Sequence, residues 1–240
     1  MPVDVSSPRE GTYAAVTGAA GAVGPHLAAA LARRGWPVAL VAGQDSAEAA
    51  REAVLALEPA ARLGYAGVDL RDEAATRRQF EAFDRAVGSC AVLLNAVGGF
   101  AAAPAHEADL AAVRALLDEN LTTVVNATRA VLPGMIARGE GFVLAFGAGS
   151  ALQPAPGRTA YAAAKSALAG YFRSLAAELV GTGVHAAVLH PMGTIDTPAN
   201  RAAMPGADTS RWIPVQRLVD AALYLAANPG VRELEVHGGA

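Results

Sequence analysis

Lysine is almost missing from this chain. Of its 19 Lys and Arg residues only Lys165 is a lysine, and it stands four residues after Tyr161. Arginine evidently serves wherever a fixed cation suffices, so the one retained ammonium marks a task that needs a compact charge on a flexible stem. Cysteine is as scarce: the lone Cys90 excludes an internal disulfide framework and fits a reducing compartment. A net charge of −3 without a basic run excludes a nucleic-acid surface. No apolar stretch reaches membrane-spanning length, because Arg, Gly and Pro interrupt each candidate. His26, His106, His185 and His237 are scattered, with no Cys or carboxylate spacing that would hold a metal. What remains is a cytoplasmic, soluble protein with a small-molecule partner.

The 240 residues, 53% hydrophobic, are enough for one domain with a large core. Short apolar runs predict strands near 13–16, 38–42, 63–68, 91–94, 142–145, 184–189 and 234–236. Between them, Ala-rich stretches predict helices near 24–34, 46–57, 72–87, 108–117, 121–138, 160–180 and 214–227. Continuously apolar strands alternating with helices imply an α/β fold: a doubly wound, parallel, seven-stranded sheet with helices on both faces. Residues 1–11 are polar and read as a flexible N-terminal tail, with the domain over 12–240. The stretch 191–213 is too long for a plain connection and reads as a lid over a site.

Thr17-Gly18-Ala19-Ala20-Gly21-Ala22-Val23-Gly24 follows the first strand and opens the first helix. Glycines in that setting let the backbone turn tightly and approach a pyrophosphate at a helix N-terminus, so Gly18, Gly21, Ala22, Val23 and Gly24 are expected to hold a dinucleotide. The second strand ends Val41-Ala42-Gly43-Gln44-Asp45. A carboxylate at Ala42 would bind a ribose 2′-hydroxyl; its absence, with Gln44 able to hydrogen-bond either ribose, leans the cofactor NAD(P)(H) towards NADP(H). No Arg adjoins Ala42 in the sequence to clamp a 2′-phosphate. Asp69, with Leu70, is a candidate for the adenine end, or a cap for the next helix.

The glycine turn, Asn95-Ala96-Val97-Gly98 after the fourth strand, Asn120 within a helix and Tyr161-xxx-Lys165 together resemble the short-chain dehydrogenase/reductase family over nearly the whole chain. That resemblance implies a Rossmann-type fold and hydride exchange between NAD(P)(H) and a ketone or secondary alcohol. It implies cofactor contacts at Asn95, Ala96, Val97, Tyr161, Lys165, Pro191 and Thr194, and assembly as a homodimer or homotetramer. The chemistry agrees. Hydride transfer to a carbonyl leaves charge on oxygen, so a proton donor must stand in reach, and Tyr161 is the candidate acid/base. A free phenol titrates near 10, and an ammonium one helical turn away is expected to lower it. By resemblance, Lys165 also holds the nicotinamide ribose and Asn120 a relaying water.

One position departs from the family pattern. A Ser that binds the substrate oxygen is expected thirteen residues before the Tyr, where this chain has Ala148. Losing such a donor can cost about 2.7–4 kcal/mol, and Ser150 is the candidate substitute. The same segment, with Val97-Gly98-Gly99 and the stretch from Ile195 to Arg201, is similar to dihydropteridine reductases, which implies reduction of a C=N substrate as an alternative. A cofactor-binding relative without catalysis is the other. Substrate identity is expected to reside in residues 100–107 and 192–212.

Overall fold

The computed structural model describes residues 5–239. In chain order the strands are β1 (Thr12–Thr17), β2 (Val38–Ala42), β3 (Leu63–Gly67), β4 (Ser89–Asn95), β5 (Gly141–Phe146), β6 (Val184–Pro191), β7 (Ile195–Asp196), β8 (Ile213–Pro214) and β9 (Glu233–Val236). Seven of them form one sheet in the order β3-β2-β1-β4-β5-β6-β9, every neighbouring pair parallel. The helices are α1 (Gly24–Ala32), α2 (Ala47–Leu57), α3 (Glu73–Val87), α4 (Leu110–Leu117), α5 (Thr123–Arg138), α6 (Thr159–Glu178), α7 (Pro198–Ala203) and α8 (Val215–Ala227).

The continuous apolar strands are the cause of this layering. In β2 every residue is buried, and alternate side chains enter opposite cores: Leu40 and Ala42 join α1, α2 and α8, while Ala39 and Val41 join α3, α5 and α6. Asp72 starts α3 by accepting the Ala75 N–H, and Gly139 ends α5 at φ 69°, a left-handed turn that favours glycine. Strand order reverses between β1 and β4, so the loops leaving their C-terminal ends diverge and open a crevice.

Two expectations are corrected, and the stretch 191–213 gains detail. The flexible tail is docked over residues 5–11: Val5 is buried in the core and its carbonyl accepts the buried Trp36 Nε1–H, a donor that must be satisfied once the indole is desolvated. Residues 1–4 lie outside the described part. The helix expected to begin at 121 is continuous with α4 through a π-helical turn, Asp118–Thr122. The stretch 191–213 has its own structure: β7 pairs with β8, Thr197 caps α7, and Arg201 grips Asp196 with bonds of 2.6 and 2.8 Å. Among the described residues no helix is long and apolar enough to cross a membrane.

Candidate active site

The glycine turn is pressed against the end of β4. Gly18 has φ 66°, and a Cβ there would stand 2.5 Å from the Val97 backbone N and 2.6 Å from Ala96 C. Ala19 N–H bonds Val41 O at 3.1 Å, and Gly21 N–H bonds Gly18 O at 2.9 Å, which fixes the turn to β2 and to itself. Through Ala22 and Val23 the chain enters α1 at Gly24, where a Cβ would meet Gly18 O at 2.5 Å. No side chain caps α1 and no acid lies in its first turn, so its free N–H groups and partial positive charge are available to an anion.

Beside this turn lies a cavity of about 350 Å³, lined by Gly18, Ala42, Gln44, Asp69, Leu70 and Val97 together with Arg71. Asp69 does not cap α3; Asp72 does. Both Asp69 oxygens are instead held by Arg71, at 2.8 and 2.9 Å from its guanidinium and 3.0 Å from its backbone N–H. The expectation that no Arg adjoins Ala42 therefore holds along the chain but not in space. Parallel pairing of β2 with β3 brings Arg71 to the same cavity, and no local sequence signal announces it.

Asn95 is fully buried, and its side chain is spent: Oδ1 accepts Thr17 Oγ1–H at 3.1 Å and Nδ2 donates to Leu144 O at 3.2 Å. It staples β1, β4 and β5 together at the crevice floor, so its side chain does not reach into the cavity. Pro191 and Thr194 follow on the other side of the crevice, tied down by Met192 N–H to Val236 O and Ile213 N–H to Thr194 O, both 2.8 Å.

Helix α6 carries Tyr161 and Lys165 one turn apart, and it packs on β6 and on the π-helical turn. Lys165 is 4% exposed and donates from Nζ to Phe146 O at 2.7 Å. Burial disfavours its charge and lowers its pKa to about 8. The ammonium lies 6.0 Å from the Tyr161 ring centroid, and the expected lowering of the phenol is not seen: desolvation raises the Tyr161 pKa, and the cation that opposes this is Arg158. The bond to β5 takes one of the three Lys165 N–H donors.

The π-helical turn explains how Asn120 enters. Widening the helix there aims its side chain inward, where Nδ2 donates to Leu116 O at 2.9 Å and to Gly99 O at 3.0 Å. Its Oδ1 is buried without a partner among the described residues. A Cβ on Gly98 would lie 2.6 Å from that Oδ1 and 3.3 Å from Lys165 Nζ. Only a glycine keeps this gap between the two groups open. Ala148 is buried and extended, and Ser150 follows in a 3₁₀ turn, Gly149–Ala151, with no hydrogen bond from its hydroxyl to another described residue. His190 packs under this loop, Nδ1 3.4 Å from Ala148 O. Phe172, further along α6, is buried in the chain's own core. Sequence reasoning missed Phe100 as a partner of the phenol: its ring meets Tyr161 edge-on, centroids 5.0 Å apart.

A parallel sheet with a glycine turn at its switch point, and a Tyr and a buried Lys beside the same crevice, is the construction of a dinucleotide-dependent oxidoreductase. The short chain dehydrogenase family matches over residues 12–207, and the chain belongs to that family; it is an NAD(P)-dependent oxidoreductase of the short-chain type. It is similar to 2-(S)-hydroxypropyl-CoM dehydrogenase 3 of Xanthobacter autotrophicus, 30% identical over 85% of this chain and 79% of that one. It is also similar to D-beta-hydroxybutyrate dehydrogenase of Cupriavidus necator, 28% identical over 86% of this chain and 80% of that one. Among solved structures, a gluconate 5-dehydrogenase from Burkholderia cenocepacia in complex with NADP and tartrate superposes with a TM-score of 0.85 at 27% identity, covering 97% of this chain and 96% of that one. These relatives do not favour the C=N-reducing or non-catalytic alternatives.

Proposed function

We propose that the protein exchanges hydride between NADP(H) and a small ketone or secondary alcohol, with Tyr161 as acid/base. The observation that carries this reading is the unpartnered Asn120 Oδ1 facing Lys165 Nζ across Gly98, beside Tyr161, at the crevice where the glycine turn ends. The residues fit a dinucleotide: Gly18 and Gly24 leave no room for a Cβ, and the uncapped start of α1 suits a pyrophosphate. Ala42, Gln44, Asp69 and Leu70 would line the adenosine end, Ala96 and Val97 the middle, and Pro191 and Thr194 the nicotinamide end. No acid at Ala42 repels a 2′-phosphate, which supports NADP(H) over NAD(H), while Arg71 in the same cavity is paired with Asp69.

When bound, the cofactor supplies or accepts the hydride. Tyr161 gives a proton to the substrate oxygen in reduction and withdraws it in oxidation. Lys165 has three N–H donors and Phe146 O takes one, which leaves two for a ribose hydroxyl and for a water held by Asn120 Oδ1. That water would refill the phenol. Ser150, its hydroxyl unengaged, is the candidate to bond the substrate oxygen in place of the Ser missing at Ala148. The segment 191–213 closes over the substrate as a lid.

We also place the protein in the cytoplasm, consistent with the single thiol. It works as a homodimer or homotetramer, a reading supported by the exposed Ile136 and Val180 near the ends of α5 and α6. Loss of reduced-nicotinamide absorbance, with NADPH and NADH compared across a panel of ketones and a quinonoid pterin, tests this function. Turnover that needs Tyr161 and favours NADPH and ketones is expected; a Tyr161→Phe variant with full activity would refute it.

A further inference from the structure

Arg158 begins the helix that carries Tyr161, and it is unengaged. Arg71, Arg173 and Arg201 each hold a carboxylate in two bonds. Its guanidinium makes no ion pair and no hydrogen bond with any described residue, and the residue is exposed. Its one partner is an aromatic face: the guanidinium carbon lies 5.5 Å over the Phe100 ring. That ring meets Tyr161 edge-on at 5.0 Å and 80°, and is itself 60% exposed. Ala103 N–H bonds Gly157 O at 2.9 Å, so the loop bearing Phe100 is tied to the turn just before Arg158.

Three side chains thus stand in a row at the open mouth of the site: a proton donor, an uncovered apolar ring and an unspent guanidinium. The charge acts on the phenol as well, opposing the upward shift that burial gives Tyr161. A guanidinium held against an aromatic face keeps its N–H fork available, and that fork matches the two oxygens of a carboxylate or the oxygens of a sulfonate. No acid in the first turn of α6 competes for it, and the helix N-terminus adds favourable potential for an anion.

We infer that Arg158 reads an anionic group, carboxylate or sulfonate, on the substrate of Tyr161, so that the preferred substrates are small oxo and hydroxy acids rather than neutral ketones. The Phe100 ring covers the short carbon chain between the carbonyl and the anion. Arg158 sets specificity here; it takes no part in the proton transfer. The assignment rests on the reading of Tyr161 as acid/base, and the test separates the two.

Acetoacetate, 3-oxobutane-1-sulfonate and pentan-2-one present a carboxylate, a sulfonate and no charge. Their kcat/KM values with NADPH give an anionic-to-neutral ratio for the wild type, Arg158→Ala and Arg158→Lys. The ratio should fall roughly tenfold to a hundredfold in Arg158→Ala, through KM more than kcat, with partial recovery in Arg158→Lys. Whichever acid has the larger ratio identifies the group read. An unchanged ratio in Arg158→Ala overturns the inference. Calorimetric titration of butanoate and propane-1-sulfonate into NADP⁺-loaded protein needs no turnover: saturable binding lost in Arg158→Ala supports the inference, and no binding by the wild type, or equal binding by both, overturns it. Anion binding through Arg158 without turnover of any ketone would instead refute the function proposed for Tyr161.

Discussion

The two sides of the crevice are built on opposite plans. On the cofactor side polar groups are already committed: Asn95 to Thr17 and Leu144, Asp69 to Arg71, the turn N–H groups of Ala19 and Gly21 to backbone carbonyls. What remains there is shape, glycines against backbone and the bare start of a helix. On the side proposed for the substrate polar groups are left unspent: Asn120 Oδ1, the Ser150 hydroxyl and the Arg158 guanidinium, beside the exposed Phe100. A ligand common to many enzymes can be met by a preformed cradle of backbone. A particular substrate and a moving proton need side chains with free valences. The difference shows where a substitution will cost structure and where it will cost chemistry.

The largest expected effect breaks the comparison on the substrate side. Tyr161→Phe should lower kcat roughly 10²–10⁴-fold while NADPH binding, followed by calorimetry, is kept. A joint loss of both would show that the phenol belongs to the cradle instead. On the cofactor side, Gly18→Ala adds a methyl 2.5 Å from Val97 N at φ 66° and should destabilise the fold by about 2–5 kcal/mol in urea titration, with NADPH binding lost. A variant of wild-type stability would show that the turn yields.

Lys165 joins the two sides and makes the comparison depend on pH. In the cofactor-free protein burial lets it release its proton near pH 8, whereas the unfolded chain holds it to about 10.4. Between those values the unfolded state binds the extra proton, so stability rises with pH; below them the cost of the buried ammonium is constant. The stability of the wild type relative to Lys165→Met should therefore increase by about 3 kcal/mol from pH 7 to pH 10.5, and a flat difference would show that the ammonium is solvated. Smallest is Asp196→Asn, which removes the exposed ion pair with Arg201. It should change stability by less than about 1 kcal/mol but raise KM if 191–213 is a lid; an unchanged KM would leave that segment a mere connection.

Much of this was legible beforehand, for a local reason. A strand covered on both faces must be apolar throughout, as β2 is, and a turn pressed against another strand must be glycine, as Gly18 is, so the element order and the cradle can be read from short windows. Tyr161 and Lys165 were legible because helical spacing fixes their common face. Their relationship was not: Lys165 bonds Phe146 O, on a strand nineteen residues earlier in the chain, and the cation that opposes the effect of burial on the phenol is Arg158. Asn120 stands out in the sequence, but not the π-helical turn that turns it inward. The docking of residues 5–11 depends on Trp36 needing an acceptor, a demand visible only once the indole is buried.

The order of residues by itself determined the doubly wound fold, the dinucleotide cradle and the Tyr161–Lys165 pair, because each follows from periodicity or spacing within a few turns of chain. Tertiary structure alone decided which groups stay unspent. Arg71 is consumed by Asp69 while Arg158 is left over Phe100, and Asn120 Oδ1 is left facing Lys165, because hydrogen-bond partners are assigned by distances between elements remote in the chain.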